Sequence, residues 1–399
     1  MSEEHKKFIP LSVPNFEGNE QKYVDEAVKT EWVSTGGAYI TKMEEQLGKF
    51  LHVENVACVQ SGTSALHLSL VDAGVKPGDM VLVPPVTFIA AVNPVKYQFA
   101  TPLFIDCDDT LTMDPIKLRS FCEEECNFTN GKLVHKKTNK IVKAIVVVHV
   151  FGNMADMESI MDTAAKYNLK VIEDSTEALG THYTEGKYKG KFAGTIGDYG
   201  CYSFNGNKII TTGGGGAITC REPKMVDHLR YLSTQAKDDP HYYIHNEIGY
   251  NYRMTNLQAA LGVAQMEELS DFIERKHKNY DRYVELFRDY EYGYLLGFRK
   301  GTYSNQWFYS LVLDMDKLHN VEMRTVITKL GDKGIQTRAI WGLINEQKPY
   351  LGEETYKMEK SVYYARRVLN IPATTQLTKT DIEYTVQTIK EVLSEIANQ

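Results

Sequence analysis

One lysine stands in the segment Ser203-Phe204-Asn205-Gly206-Asn207-Lys208-Ile209-Ile210-Thr211-Thr212, and four glycines, Gly213 to Gly216, follow it directly. No acidic residue lies in this stretch, and the glycines leave the backbone free to present the amine. Such an amine suits condensation with an aldehyde, which makes Lys208 a candidate for the Schiff base of pyridoxal phosphate (PLP). The same pattern also describes an ordinary surface lysine beside a glycine loop.

PLP offers four handles, an aldehyde, a pyridine nitrogen, a ring face and a phosphate, so a lysine of this kind needs companions. Val171-Ile172-Glu173 reads as a strand ending in Asp174, with Ser175-Thr176-Glu177-Ala178-Leu179-Gly180 after it. An acid at the carboxyl end of a parallel strand faces the crevice where such sheets bind ligands, and paired with the pyridine nitrogen Asp174 keeps it protonated. Its plain alternative is a helix N-cap. Glu177 is in reach of the ring hydroxyl. Ser61-Gly62-Thr63-Ser64-Ala65-Leu66 is a small-residue turn entering a helix. The free amides of Gly62, Thr63 and Ser64, together with the helix dipole, form an anion site suited to the phosphate. Ser203 adds a hydroxyl, and Phe88, just past another strand, offers a ring face, although a core phenylalanine reads the same way. Rival phosphate motifs do worse. In a P-loop the glycines precede the lysine, whereas here they follow it, and the apparent strand Ala217 to Cys220 after them disfavours a dinucleotide fold.

The elements that must position these residues alternate. Strands are expected over 55–60, 80–83, 102–105, 143–148 and 170–173, and helices over 63–72, 88–97 and 155–167, the last with Ile160, Ala164 and Ala165 inward. The apolar run Lys143-Ala144-Ile145-Val146-Val147-Val148 is that of a strand buried on both faces. This is an α/β pattern with a largely parallel sheet. A polar hairpin over 132–140 interrupts it, within an insertion spanning 123–141. After Arg253 a long helical pattern runs to Leu286; a strand over 306–313, a helix over 321–330, a strand over 335–339 and a helix over 381–396 complete a second, smaller α+β domain. The expected division is 1–252 and 253–399.

With 45 basic and 52 acidic residues the net charge is −7, which argues against binding nucleic acid by bulk charge. No apolar run is long enough for a membrane span, and Met1-Ser2-Glu3-Glu4-His5-Lys6-Lys7 lacks a signal-peptide core, so the expected compartment is the cytoplasm. The six cysteines show no metal spacing and read as reduced, packing thiols; Cys122 and Cys126 stand one helical turn apart if a helix carries both.

Taken together, these motifs resemble the sugar aminotransferase family named after DegT, DnrJ, EryC1 and StrS. The likeness covers nearly the whole chain. Besides the segments above it rests on Thr87-Phe88-Ile89-Ala90, His149-Val150-Phe151-Gly152, Gly197-Asp198 and Gly249-Tyr250-Asn251-Tyr252-Arg253-Met254. The resemblance implies the aspartate aminotransferase fold (type I) with PLP as cofactor. It makes Lys208 the Schiff-base and proton-shuttling residue, and it puts Asp174 on the pyridine nitrogen, Glu177 on the ring hydroxyl side and Phe88 on the ring. Gly62, Thr63, Ser64 and Ser203 then hold the phosphate, and Asn251 reaches the phosphate of a neighbouring subunit in a homodimer. Two departures stand out: many members carry Glu where this chain has Gly214, and Gln or His where it has Glu177. A related dehydratase replaces the lysine with histidine, so Lys208 speaks against that reading. The acidic charge and the lack of a helix-turn-helix extension speak against a non-catalytic regulator.

A narrower likeness lies in Ile9-Pro10-Leu11-Ser12-Val13-Pro14, Glu31-Trp32-Val33-Ser34-Thr35 and Gly334-Ile335-Gln336-Thr337-Arg338-Ala339-Ile340-Trp341. It implies amination by L-glutamate at C4 of a UDP- or GDP-linked 4-keto-6-deoxy-N-acetylhexosamine, on the way to sugars such as legionaminic acid or bacillosamine. Arg338 and Trp341 are then the residues expected on the sugar or its diphosphate.

Overall fold

The computed structural model describes residues 8–239 and 241–399. The charged start read for a signal peptide, residues 1–7, lies outside them. At the centre is one large sheet. Reading across it, Val56–Val59, Gly216–Cys220, Tyr199–Ser203, Lys170–Asp174, Ile141–Val148, Met80–Val83, Thr101–Ile105 and Thr355–Tyr356 lie side by side. From Tyr199–Ser203 to Thr355–Tyr356 every pair is parallel, while the two pairings at the Val56–Val59 end are antiparallel, as is that of a hairpin strand, Lys132–His135, that joins Ile141–Val148 from the side. The sheet is therefore mostly parallel, as the alternating pattern predicts. Its middle strands are mostly apolar and buried along most of their length on both faces, as expected where helices cover a sheet.

A second sheet of four antiparallel strands joins Gly293–Leu295, Tyr309–Leu313, Val368–Ile371 and Arg338–Ala339, in that spatial order. The helix Asn256–Leu286 opens with a capping box, Thr255 against Gln258, and runs 31 residues. It packs on the helices Glu20–Lys29 and Ala38–Leu51, neither of which the alternation rule had singled out.

Several expected elements are altered for local reasons. The helix expected over 88–97 is split into a 3₁₀ turn, Ile89–Ala91, and a short helix, Asn93–Tyr97, because Pro94 has no N–H to continue the ladder. In Met157–Tyr167, Ile160 and Ala164 face inward as expected, but Ala165 is exposed and Thr163 and Tyr167 complete the buried face. Cys122 and Cys126 do not share a helix: the helix Pro115–Glu124 ends between them and Cys126 begins a strand. The strand expected over 335–339 shortens to Arg338–Ala339, because Ile335 instead bridges to Ile9, with Ile9 N–H donating to the Gly334 carbonyl at 2.8 Å. The strand expected from Gln306 starts at Tyr309, after Gln306 has turned with φ +51°. The hairpin is displaced too. Its strands are Cys126–Thr129 and Lys132–His135, joined at Asn130 and Gly131, both with positive φ as a two-residue Asn-Gly turn requires. Beyond its second strand, Lys137 pairs with Glu354 at 2.7 Å.

Candidate active site

The carboxyl ends of two neighbouring parallel strands set the floor of the site. Lys170–Asp174 delivers Asp174, and Tyr199–Ser203 delivers Ser203. From Ser203 the chain loops through Lys208 and returns as Gly216–Cys220. That loop is held at several points: Lys208 N–H donates to the Asn205 carbonyl at 3.0 Å, Thr211 N–H donates to Gln265 Oε1 at 3.1 Å, and Trp307 Nε1–H donates to the Asn207 carbonyl at 2.8 Å. The glycine-rich stretch thus presents a fixed lysine. Lys208 Nζ lies 3.5 Å from Glu177 Oε1 and 4.1 Å from the centre of the Trp307 ring. The neutral setting of the sequence is therefore not neutral in space, since Glu177 reaches the amine from another loop.

Asp174 and Glu177 are both buried. Burial pushes Asp174 above the ordinary carboxylate range, and the Lys208 charge only partly offsets this. Burial likewise carries Glu177 up to about 7, against the pull of Lys208 and of the Phe151 N–H that donates to Glu177 Oε2 at 2.8 Å. Asp174 accepts from Thr176 N–H at 3.1 Å, but a turn and not a helix follows it, so it is not an N-cap, and it lines the cavity. Beneath it, His149 accepts from Ala155 N–H at Nδ1 and therefore donates from Nε2 to Glu173 at 2.9 Å. Glu173 also collects the Gly194 and Ile196 amides, which fixes the strand end that carries Asp174.

Across from Asp174 begins the helix Gly62–Asp72. Ser61 is its N-cap, accepting from Ser64 N–H at 3.0 Å. The Gly62 and Thr63 amides have no acceptor among the described residues and open on the cavity with the Ser203 hydroxyl. A Cβ on Gly62 would stand 2.8 Å from Ser203 Cβ and 2.9 Å from Thr176 Cγ2, so only glycine lets these segments meet.

The cavity encloses about 530 Å³, within the range of small-molecule sites. Phe88, Arg338 and Trp341 all line it, as does Gly214. Two expected residues are not brought here. Ser64 is turned inward, its hydroxyl 2.9 Å from that of Ser61. Asn251 is exposed and lines a different cleft, with Thr35, Lys237 and Arg253.

Sequence reasoning missed Trp307, Phe151 and Asn370, which also line the cavity. Phe151 takes the left-handed conformation, φ +56°, unusual for a bulky residue, to aim its N–H at Glu177. Its ring lies 4.7 Å from that of Trp341. No spacing rule marks these aromatics, but Asn370 did carry a signal: a polar residue in the buried run Val368-Leu369-Asn370-Ile371.

The residues present fit PLP. A buried carboxylate lacking a full set of donors, a lysine amine, two free amides at a helix start and an aromatic wall match its pyridine nitrogen, aldehyde, phosphate and ring.

Comparison with known proteins gives the same direction. A family model described as the DegT/DnrJ/EryC1/StrS aminotransferase family matches residues 14–390. A protein of Escherichia coli O157:H7 named GDP-perosamine synthase is 35% identical over 98% of this chain and 100% of its own length. A Campylobacter jejuni protein named UDP-4-amino-4,6-dideoxy-N-acetyl-beta-L-altrosamine transaminase is 27% identical over 97% of this chain and 98% of its own. The solved structure of Helicobacter pylori PseC, described as an aminotransferase involved in pseudoaminic acid biosynthesis, superposes with a TM-score of 0.86 at 21% identity, over 98% of this chain and 100% of that one. At that identity the likeness shows the shared fold, that of a fold type I PLP aminotransferase.

Proposed function

Since the chain belongs to the DegT/DnrJ/EryC1/StrS family of PLP-dependent sugar aminotransferases, we propose that it moves the amino group of L-glutamate to C4 of a nucleotide-linked 4-keto-6-deoxy-N-acetylhexosamine. The observation that carries the aminotransferase reading is the meeting of Lys208, Glu177 and Asp174 with the Gly62–Thr63 amides in one cavity. The printed name of the Campylobacter relative, a 4-amino-4,6-dideoxy-N-acetyl sugar transaminase, supports the substrate class. A second reading, a GDP-linked sugar without the acetamido group, is favoured by the relative named GDP-perosamine synthase.

Bound PLP would supply a carbonyl to receive the amine and an electron-withdrawing ring to stabilise the carbanion formed on proton loss. Asp174 would hold the pyridine nitrogen, Phe88 the ring, and Gly62, Thr63 and Ser203 the phosphate. Lys208 Nζ would move the proton between the substrate carbon and the cofactor's carbonyl carbon. Glu177 at 3.5 Å and the Trp307 ring at 4.1 Å fix that amine in place, and Trp307 keeps water from one side of it. Glutamate leaves as 2-oxoglutarate before the keto sugar enters, so the two substrates use one cavity in turn and ping-pong kinetics follow. Arg338 and Trp341 suit a phosphate and a sugar face. Asn251, on the outside of the single chain, is available to a second copy, which agrees with a homodimer whose sites lie at the interface. The domain division at 252/253 belongs to the same reading. The six cysteines are free thiols, which fits a reducing compartment such as the cytoplasm.

The test is to convert the PLP-loaded protein to its aminated form with L-glutamate. It is then offered UDP- and GDP-linked 4-keto-6-deoxy sugars, with and without a C2 acetamido group. Return of the visible cofactor band with an N-acetylated sugar supports the proposal; return only with GDP-linked sugar lacking it supports the second reading; no return with any of them overturns both.

A further inference from the structure

Asn370 is a polar side chain in an apolar strand, 2% exposed, and it lines the Lys208 cavity. Its position across the small sheet is specific. Ser310 on one neighbouring strand and Arg338 on the other both stand directly opposite it. Residues directly opposite in antiparallel strands project from the same face, with Cα atoms about 4.5–5.5 Å apart. Ser310, Asn370 and Arg338 therefore form one row.

The row has a direction. The Ser310 hydroxyl donates to Asn370 Oδ1 at 2.8 Å and so sets which way the amide faces. Ser310 is itself buried, so this bond is shielded from water. What remains of the amide is Nδ2, with two hydrogens and no acceptor among the described residues. Arg338 is exposed to the cavity and has no carboxylate partner among the described residues. The groups left without a partner are thus mainly donors, Asn370 Nδ2 and the Arg338 guanidinium. A sugar hydroxyl both donates and accepts, whereas a carboxylate only accepts, so this donor-rich pair is matched to a carboxylate.

We propose that Asn370, oriented by Ser310 and working beside Arg338, binds the α-carboxylate of the amino donor. Depth supports this. The α-carboxylate is attached to the carbon that loses its proton to Lys208, so it must lie as deep in the cavity as the lysine does. The diphosphate of a nucleotide sugar hangs from C1, across the ring from C4, and points toward the mouth. Arg338 then serves an anion of each substrate in turn, while Asn370 meets an oxyanion only when the donor is bound. This inference rests on glutamate being the donor.

The experiment follows the glutamate half-reaction alone, in the PLP-loaded protein, so it does not depend on the sugar's identity. The concentration dependence of bleaching gives the dissociation constant for glutamate, and the plateau gives the limiting rate. Asn370→Asp keeps an acceptor for Ser310 but turns a carboxylate oxygen toward the ligand's carboxylate, and it should weaken glutamate binding by about 100-fold or more. Asn370→Ala should weaken it by about 10-fold, and Ser310→Ala by several-fold, because an unheld amide rotates. In all three the limiting rate should change less than the dissociation constant. If Asn370→Asp does not fold, as judged by circular dichroism and the visible band of bound cofactor, the Ser310→Ala result decides. Unchanged glutamate affinity in the folded variants overturns the proposal, as does a loss confined to the limiting rate. Wild-type protein that glutamate fails to bleach overturns the donor assignment too, so the two failures are distinguishable.

Discussion

Glu177 is the residue whose replacement most directly probes the electrostatics of the site. Buried beside Lys208, its carboxyl is raised from 4.5 to about 7. A carboxyl raised on folding favours the folded state below its unfolded pKa, and that advantage is lost as pH rises through the folded value. In the cofactor-free protein this group should therefore remove stability between about pH 4.5 and 7, by roughly 3 kcal/mol at about 1.36 kcal/mol per pH unit. Glu177→Gln does not titrate and can still accept from Phe151 N–H. Its amide nitrogen would face Lys208 Nζ, a donor against a donor, which costs about 1 kcal/mol. The expected result is a variant more stable than wild type by about 2 kcal/mol at pH 8, and equal or slightly less stable at pH 5. Thermal unfolding at a fixed scan rate, across a pH series, measures this without requiring reversible two-state behaviour. A variant less stable than wild type at pH 8, or a difference that does not change with pH, would instead place Glu177 in an ordinary ion pair that stays charged across this range.

Three further outcomes are expected. Asp174→Ala should raise the dissociation constant for PLP about 100-fold, the equivalent of about 3 kcal/mol for a buried charge-assisted hydrogen bond, measured by equilibrium dialysis. Gly62→Ala should force apart segments whose contacts to the new methyl would be 2.8 and 2.9 Å. It should lower stability by about 1–3 kcal/mol, seen as a lower unfolding midpoint, and weaken PLP binding with it. Lys276 is buried, donates to the Trp307 carbonyl at 2.8 Å, and is lowered by burial from 10.5 to about 7. Stability from this group is present above pH 10.5 and lost as pH falls toward 7, so Lys276→Met should flatten the rise of the unfolding midpoint between pH 7 and 10.

Much of the α/β half was legible because period and length are local properties. The apolar run 143–148 had to be a central strand, and Ser61 had to cap a helix. What escaped depended on contacts between distant segments. Ile335 left its strand to bridge Ile9, and no window around 335 contains Ile9. Lys208 looked neutral because Glu177, 31 positions earlier, arrives from another loop. Trp307 and Phe151 enter the site through a turn with positive φ at Gln306 and at Phe151 itself, which propensity disfavours in both cases. Asp174, Ser203, Phe88 and the Gly62 turn were readable, since the carboxyl ends of parallel strands and helix starts converge by topology.

Amine transfer in this cavity is assigned to Lys208. The most direct measurement is the visible spectrum of PLP-loaded wild type and Lys208→Ala, each treated with L-glutamate and then with a UDP-linked 4-keto-6-deoxy-N-acetylhexosamine. Wild type should show the lysine-bound band, lose it with glutamate and regain it with the sugar, while Lys208→Ala should show neither the band nor turnover. A Lys208→Ala protein that keeps the band and full turnover would contradict the claim.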